Sequence, residues 1–296
     1  MTVSIPTLSD SAMLVYVRLS VWSARKLDKK QTLKVNKDAS ATSDAGRVNK
    51  HLLASAESKL KDVQRKANEI RDFIDTNTLP WDDAGNRIIS NAAAISVVGQ
   101  IQNLKTEFEA LVDDFVAEYP VLRAQAIINL GDMGDDSDYP QPDVVRSKFS
   151  MRLSFSPLPT TFGDIRQGMS EQQAAAWQQH FEGNVKVQVN SALLAAWDRL
   201  KVSLERYSDR LRLKDDGSGK MEIFRDTMVT QLRETCQLLA LLNVFGDTEL
   251  ESIVRTVQAS IASYEPDALR TSAVTAVQVK GDVDEILERM RGYLNA

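Results

Sequence analysis

Residues 91–118 read NAAAISVVGQIQNLKTEFEALVDDFVAE. Within them Ala94, Val97, Ile101, Leu104, Phe108, Leu111 and Phe115 recur at alternating three- and four-residue spacing. That rhythm lays one narrow apolar seam along an α-helix, the geometry by which helices pack side by side. Two other stretches share it. Leu53, Ala56, Leu60, Val63, Ala67, Ile70 and Ile74 form one seam, and Leu193, Trp197, Leu200, Leu204, Tyr207 and Leu211 form another. The first two helices, over residues 50–75 and 91–118, are joined by a short connection containing Pro80 and Gly85, both helix breakers. They predict a long antiparallel helical hairpin of coiled-coil type.

Outside the seams the period changes. Val15, Val17, Leu19 and Val21 alternate with Tyr16, Arg18, Ser20 and Trp22, which predicts a strand over 14–22 with one buried face. Phe149, Met151, Leu153 and Phe155 alternate with Ser150, Arg152 and Ser154, a second strand stopped by Pro157 and Pro159. Two strands do not stand alone in water, so these are expected to pair and lie on a helical layer. Between strand and first helix, Lys26–Lys50 is poor in large apolar residues and reads as a mobile loop. Pro120 is expected to interrupt or turn the second helix, and Gly131–Pro142 to form a loop. Ser170 reads as the N-cap of a helix weakened at Gly183 and Asn184, ahead of the third seam over 187–213. A turn at Asp215–Gly219 and shorter amphipathic helices over 222–243, 247–264 and 283–294 close the chain. The fold class is mainly α (α+β): a helical hairpin and a helical bundle with a small antiparallel sheet. Residues 1–168 would hold the sheet and hairpin and residues 169–296 a C-terminal bundle, unless the two form one continuous domain.

Composition bounds the chemistry. A chain of 296 residues, 43% hydrophobic, supports one large domain or two ordinary ones. The lone Cys236 excludes an internal disulfide framework and a multi-cysteine zinc site; its helical spacing from Val229, Leu232 and Leu239 makes it a buried thiol. No apolar run approaches the roughly 20 residues of a membrane span, and Met1–Asp10 lacks the basic-then-apolar order of a signal peptide. The expectation is a cytoplasmic protein without membrane contact. The net charge of -5 is uneven: Arg18–Lys66 carries 13 Lys or Arg against five acids, and the chain beyond Lys66 carries 23 against 35. A basic N-terminal quarter on an acidic body can steer an anionic partner.

The residues that carry chemistry elsewhere do not assemble into a motif here. His51 and His180 have no ligand-type neighbour at metal spacing. Asp132, Asp135, Asp136 and Asp138 lack the alternation and terminal Glu of a calcium loop, and read as a solvated acidic loop. Gly217-Ser218-Gly219-Lys220 is no phosphate loop, because Lys214 stands where a glycine is required and Met221 where a hydroxyl residue is. The reading is therefore of no catalytic, cofactor or metal site, and of a non-enzymatic interaction or assembly protein acting on a protein partner or on itself. The alternative is a nucleic-acid-binding accessory protein. Its patch would comprise Arg18, Arg25, Lys26, Lys29, Lys30 and Arg152, with Tyr16 and Trp22 available for stacking.

Several short stretches, in matching order along most of the chain, resemble one bacterial and phage family, domain of unknown function family 3150. They are Val21-Trp22-Ser23-Ala24-Arg25-Lys26, Leu79-Pro80-Trp81, and Val145-Arg146-Ser147-Lys148-Phe149 leading into Leu153-Ser154-Phe155. Phe224-Arg225-Asp226-Thr227-Met228-Val229 follows, then Leu242-Asn243, Gly246-Asp247 and Leu250-Glu251. The resemblance implies a phage or mobile-element protein of the bacterial host cytoplasm, encoded near a MoxR-type AAA ATPase or recombination genes. It implies no activity and no catalytic residues. An adaptor for such an ATPase or for a DNA-processing complex would suit it.

Overall fold

The structure is a computed structural model that describes residues 10–158, 170–212 and 225–294. In chain order, β1 (Ala12–Ser20), β2 (Arg25–Leu27), α1 (Lys29–Asp38), β3 (Asn49–His51) and α2 (Ser58–Asn77) come first. Then follow β4 (Leu79–Pro80), β5 (Asn86–Ser90) and α3 (Asn91–Leu130). Two 3-10 turns, Gly131–Met133 and Asp136–Asp138, precede α4 (Pro142–Ser147) and β6 (Ser150–Pro157). The remainder is helical: α5 (Glu171–Arg210), α6 (Asp226–Leu242), α7 (Thr248–Ser260), α8 (Pro266–Thr271) and α9 (Ala273–Leu294). The fold is mainly α, with an antiparallel sheet ordered β4-β5-β1-β6 and a two-stranded ribbon of β2 and β3. As expected, the two strands read from sequence are neighbours. Among the described residues no helix is long and apolar enough to cross a membrane. Where the sequence reading divides the chain once, near residue 168, the contacts separate two compact units drawn from interleaved stretches. One comprises Met1–Tyr16, Asp75–Val97 and Ser154–Ala296, the other Val17–Ile74 and Val98–Leu153.

In the first unit, β1 pairs with β5 in the register Ala12↔Ser90, Leu14↔Ile88, Tyr16↔Asn86. The segment 76–86, read from sequence as a helix-breaking connection, instead builds a hairpin. The Asp82 carboxylate accepts from the Asn86 backbone N–H at 2.9 Å and from its side-chain amide at 2.7 Å, and Gly85 supplies the positive φ of 91°. Strand β5 carries no period-two signal, because Ile88 and Ile89 are consecutive and both buried. Helix α5 opens as anticipated. Ser170 Oγ accepts from the Gln173 N–H, and the Gln173 side chain accepts from the Ser170 N–H. Gly183 and Asn184, expected to weaken the helix, do not interrupt it. Both are exposed on an unbroken helix whose seam continues through Val185, Val189, Ala192, Ala196, Trp197, Leu200, Leu204 and Tyr207. One exposed glycine costs about 1 kcal/mol, less than this buried seam returns. Val229, Leu232, Cys236 and Leu239 of α6 pack into the same core as Ile253 and Val257 of α7 and Val279 and Val283 of α9. Arg199 donates to the carbonyls of Asp75, Thr76 and Thr78 at 2.8, 2.7 and 3.1 Å, satisfying the end of α2 with a cation placed where the helix dipole favours it.

In the second unit the predicted hairpin is present. Lys59 of α2 pairs with Glu118 of α3 at 3.1 Å, and Lys66 with Glu107 at 2.7 Å, an order that runs antiparallel. Leu60, Val63, Ala67 and Ile70 face inward from α2, and Ile101, Phe108, Val112, Phe115 and Tyr119 from α3. Helix α2 begins at Ser58, not near Lys50, because Asn49–His51 forms β3 and Leu52 and Leu53 are buried ahead of the helix. Leu104 and Leu111 are only half-buried, and Val112 replaces Leu111 in the core. Pro120 does not end α3, which continues to Leu130. Its ring lies on an exposed face, and buried Tyr119 and Ala126 hold the helix on either side. Trp22 packs edge-on to Tyr119 with centroids 5.8 Å apart and 6.4 Å from Phe115, and Phe149 lies 5.7 Å from Phe115. Trp22 is thus core and not, as its alternation implies, on a wet face available for stacking.

Candidate docking surface

The stretch Lys26–Lys50 is not a mobile loop. It folds as a small β2–α1–β3 module within the second unit, and polar groups replace the large apolar residues whose scarcity suggested mobility. Strands β2 and β3 pair in the register Arg25↔His51, Lys26↔Lys50, Leu27↔Asn49. The Asp28 side chain caps α1 by accepting from the Gln31 N–H at 2.9 Å, and the Asp28 N–H donates to the Val48 carbonyl at 2.9 Å. Thr32 Oγ1 accepts from the Val48 N–H at 3.0 Å. The Asn36 amide donates to the carbonyls of Ser43 and Gly46 at 2.9 and 3.2 Å, pinning the return segment. Helix α1 ends in a Schellman motif: Ser40 takes φ 52°, its N–H donates to Lys37 O, and the Ala41 N–H donates to Asn36 O. The buried face of α1 is therefore Thr32 and Asn36, while Leu33 is 59% exposed.

A buried charge cluster ties the module to its unit. Lys50, 8% exposed, donates to the Met133 carbonyl at 2.7 Å, forms a close ion pair with Asp138 and lies 3.9 Å from the Asp28 carboxylate. Lys26 reaches the other oxygen of Asp138 at 2.7 Å. Burial alone would raise the Asp138 pKa, but the hydrogen bonds from Lys26 and Lys50 outweigh it and hold the carboxyl below its ordinary value. The reading of a solvated acidic segment holds for Asp132, Asp135 and Asp136, which are exposed, and fails at Asp138. Asp138 is bound to lysines, Asp136 to Arg123 at 2.6 Å, and Asp135 accepts from the Ser137 N–H.

This arrangement sorts the six residues read from sequence as a patch. Lys26 is engaged with Asp138. Arg25 lies opposite His51 in the ribbon and acts electrostatically on Glu57. Lys29 and Lys30 are exposed on the first turn of α1, and Arg18 and Arg152 are exposed on the neighbouring strands β1 and β6. The structure adds Lys34, Lys37 and Arg47, all exposed. Their signal was available in the sequence, since Lys30, Lys34 and Lys37 stand at i, i+4 and i+7, but a stretch read as loop has no faces. At 100° per residue these three fall within about 60° of arc on α1. Among the described residues none of Lys29, Lys30, Lys34 and Lys37 forms an ion pair, and the first turn of α1 has no acidic residue. The placement is unfavourable for folding at Lys29, Lys30 and Lys34, whereas Lys37 lies in the last turn, where the helix dipole favours a cation. Cations at the positive end of a helix cost about 0.3–1 kcal/mol each at low salt, and like charges at i, i+4 about 0.2–0.5 kcal/mol. A bound anion would relieve both.

Other candidates are inert or dispersed. Cys236 is fully buried, and burial pushes its thiol up to about 12. His51 lies 3.9 Å from Glu57, His180 is exposed on α5, and among the described residues no three His, Cys, Asp or Glu side chains converge as a metal site. A groove of about 380 Å³ lies beside Pro120, lined by Tyr119, Arg123, Ile127, Asp136, Gln141 and Pro142. Its two charged groups, Arg123 and Asp136, are paired with each other. The Gly217–Lys220 stretch and the expected Asp215–Gly219 turn lie outside the described residues. No family model, no curated protein and no solved structure matches the chain.

Proposed function

We propose that this chain is a non-enzymatic interaction protein of a phage or mobile element, working in the bacterial cytoplasm, and that the β2–α1–β3 module is its docking element. The observation that carries this reading is the self-repelling cation stripe of α1, held on a folded module whose interior consumes Lys26 and Lys50 and leaves Lys29, Lys30, Lys34 and Lys37 outward. A surface that costs folding energy and has no role in the core is accounted for by a partner that is anionic where it touches. An adaptor for an AAA ATPase or a DNA-processing complex is the form of such work that the family resemblance implies. A photo-crosslinking residue placed at exposed Leu33 tests the reading in host cells, with the same probe at exposed Val274 of α9 as control. A discrete macromolecular adduct from position 33 and none from position 274 is expected. Absence of any adduct at 33 would remove the module as docking element.

A further inference from the structure

We infer that the stripe Lys30, Lys34 and Lys37, with Lys29 at its head, binds the sugar-phosphate backbone of a nucleic acid without reading its sequence. The inference rests on the docking role proposed above and names the partner.

Three features of α1 select a polyphosphate over other anionic partners. The cations lie on one side of a straight element about 15 Å long, with neighbours about 6 and 4.5 Å apart along its axis, and no carboxylate of α1 falls between them. A row of point charges on flexible stems matches a partner that repeats its charge along a line. The exposed aliphatics do not make a membrane-inserting face, because Leu33 and Val35 are about 200° apart around the helix and no aromatic residue accompanies them. Nor do they make the apolar centre expected of a protein–protein patch. The stripe offers lysines and no Asn, Gln or Arg positioned to grip a base edge, so contact is with phosphates and is indifferent to sequence. Trp22, the aromatic nearest in sequence, is buried against Phe115 and Tyr119 and cannot stack on bases. Lys26 is excluded as well, because its ammonium already serves Asp138.

Affinity for fluorescent mixed-sequence 30-nucleotide single strands and duplexes, measured from 25 to 300 mM salt, tests the inference. Three full-length variants are compared with the parent: K30Q/K34Q/K37Q, R18Q/R152Q on the sheet, and K186Q/R206Q/R210Q on α5, which removes the same charge elsewhere. Circular dichroism and melting temperature confirm that each is folded; the α1 variant, relieved of the Lys30–Lys34 repulsion, should melt no lower than the parent. The α1 triple variant should bind at least 10-fold more weakly at low salt, with a salt slope shallower by about two to three units. The other two should change affinity less than threefold. Equal loss in the α5 variant would reduce the effect to net charge, and equal loss in R18Q/R152Q would move the site to the sheet; either overturns the inference. So would parent protein that fails to bind either oligonucleotide at 25 mM salt, or that binds vesicles of phosphatidylcholine and phosphatidylserine (3:1) instead. A nuclease-resistant protein adduct from position 33 in the crosslinking experiment would leave the docking role standing and remove the nucleic acid.

Discussion

Residues in the second unit differ sharply in what they contribute, although the sequence pattern treats them alike. Phe108 and Leu104 occupy the same seam of α3, but Phe108 is 1% exposed and Leu104 half-buried. Phe108→Asp would bury an unpaired charge and should leave the protein unfolded or lower its melting temperature by more than 10 °C. Leu104→Asp can turn its carboxylate to solvent and should cost less than half as much; equal effects in thermal melts would show Leu104 to be core. Lys50 is the other decisive residue. Lys50→Ala removes the closest cation of Asp138 and the donor to the Met133 carbonyl while Lys26 remains paired with Asp138, and should cost about 1–3 kcal/mol in a denaturant titration. The pH dependence follows from the lowered pKa of Asp138. A carboxyl held below its unfolded value stabilises the fold above the ordinary pKa of about 4 and loses that contribution as pH falls through the folded value. Asp138→Asn should therefore be less stable than the parent at pH 7, with the difference narrowing below pH 4. A gap that stays constant to pH 2 would show that the ionised form contributes nothing.

At the level of elements, α1 shows how a helix can be stable locally with almost no apolar face. Its cap, its Schellman ending and the Thr32 and Asn36 bonds to the return segment do the work that a seam does in α2. Ser40 is the weak point, a non-glycine residue in the left-handed region at the position where glycine is preferred. Ser40→Gly should relieve that strain and slow hydrogen exchange at the amides of Ala41 and Val48, with a gain of up to about 1 kcal/mol; unchanged or faster exchange would show that the left-handed conformation is not maintained. The same element explains why sequence reading took Lys26–Lys50 for a loop. Hydrophobic periodicity measures apolar burial, and a module closed by backbone carbonyls and amide side chains has none to measure.

For the whole molecule, helices predominate over the small antiparallel sheet. Far-UV circular dichroism should show paired helical minima, and strand content exceeding helix content would contradict the fold. The acidic balance of the chain outside Arg18–Lys66 leaves the basic module as a local reversal of charge on a net -5 protein. Part of that reversal is spent internally, because Lys26 and Lys50 neutralise Asp138. The usable positive surface is smaller than the basic count of the N-terminal quarter suggests, and it is displaced onto α1.

Periodic burial was legible without any structure. The seams of α2, α3 and α5, the N-cap Ser170 and the pairing of the strands around Val15 and Met151 all follow from local rules acting over a few turns. Three things needed the folded chain. Trp22 and Val21 alternate correctly for a strand, but Trp22 turns inward past the end of β1 to meet Phe115 and Tyr119, nearly 100 residues away. Strand β5 pairs because β1 offers a register, not because its own residues alternate. The cation patch is divided between free and engaged lysines by Asp138, a partner more than 80 residues downstream in sequence. A residue's own neighbours in sequence set its preference for helix or strand. Which charges are neutralised and which stay exposed depends on contacts between distant segments, and these exist only once the entropy of bringing them together has been offset by the core.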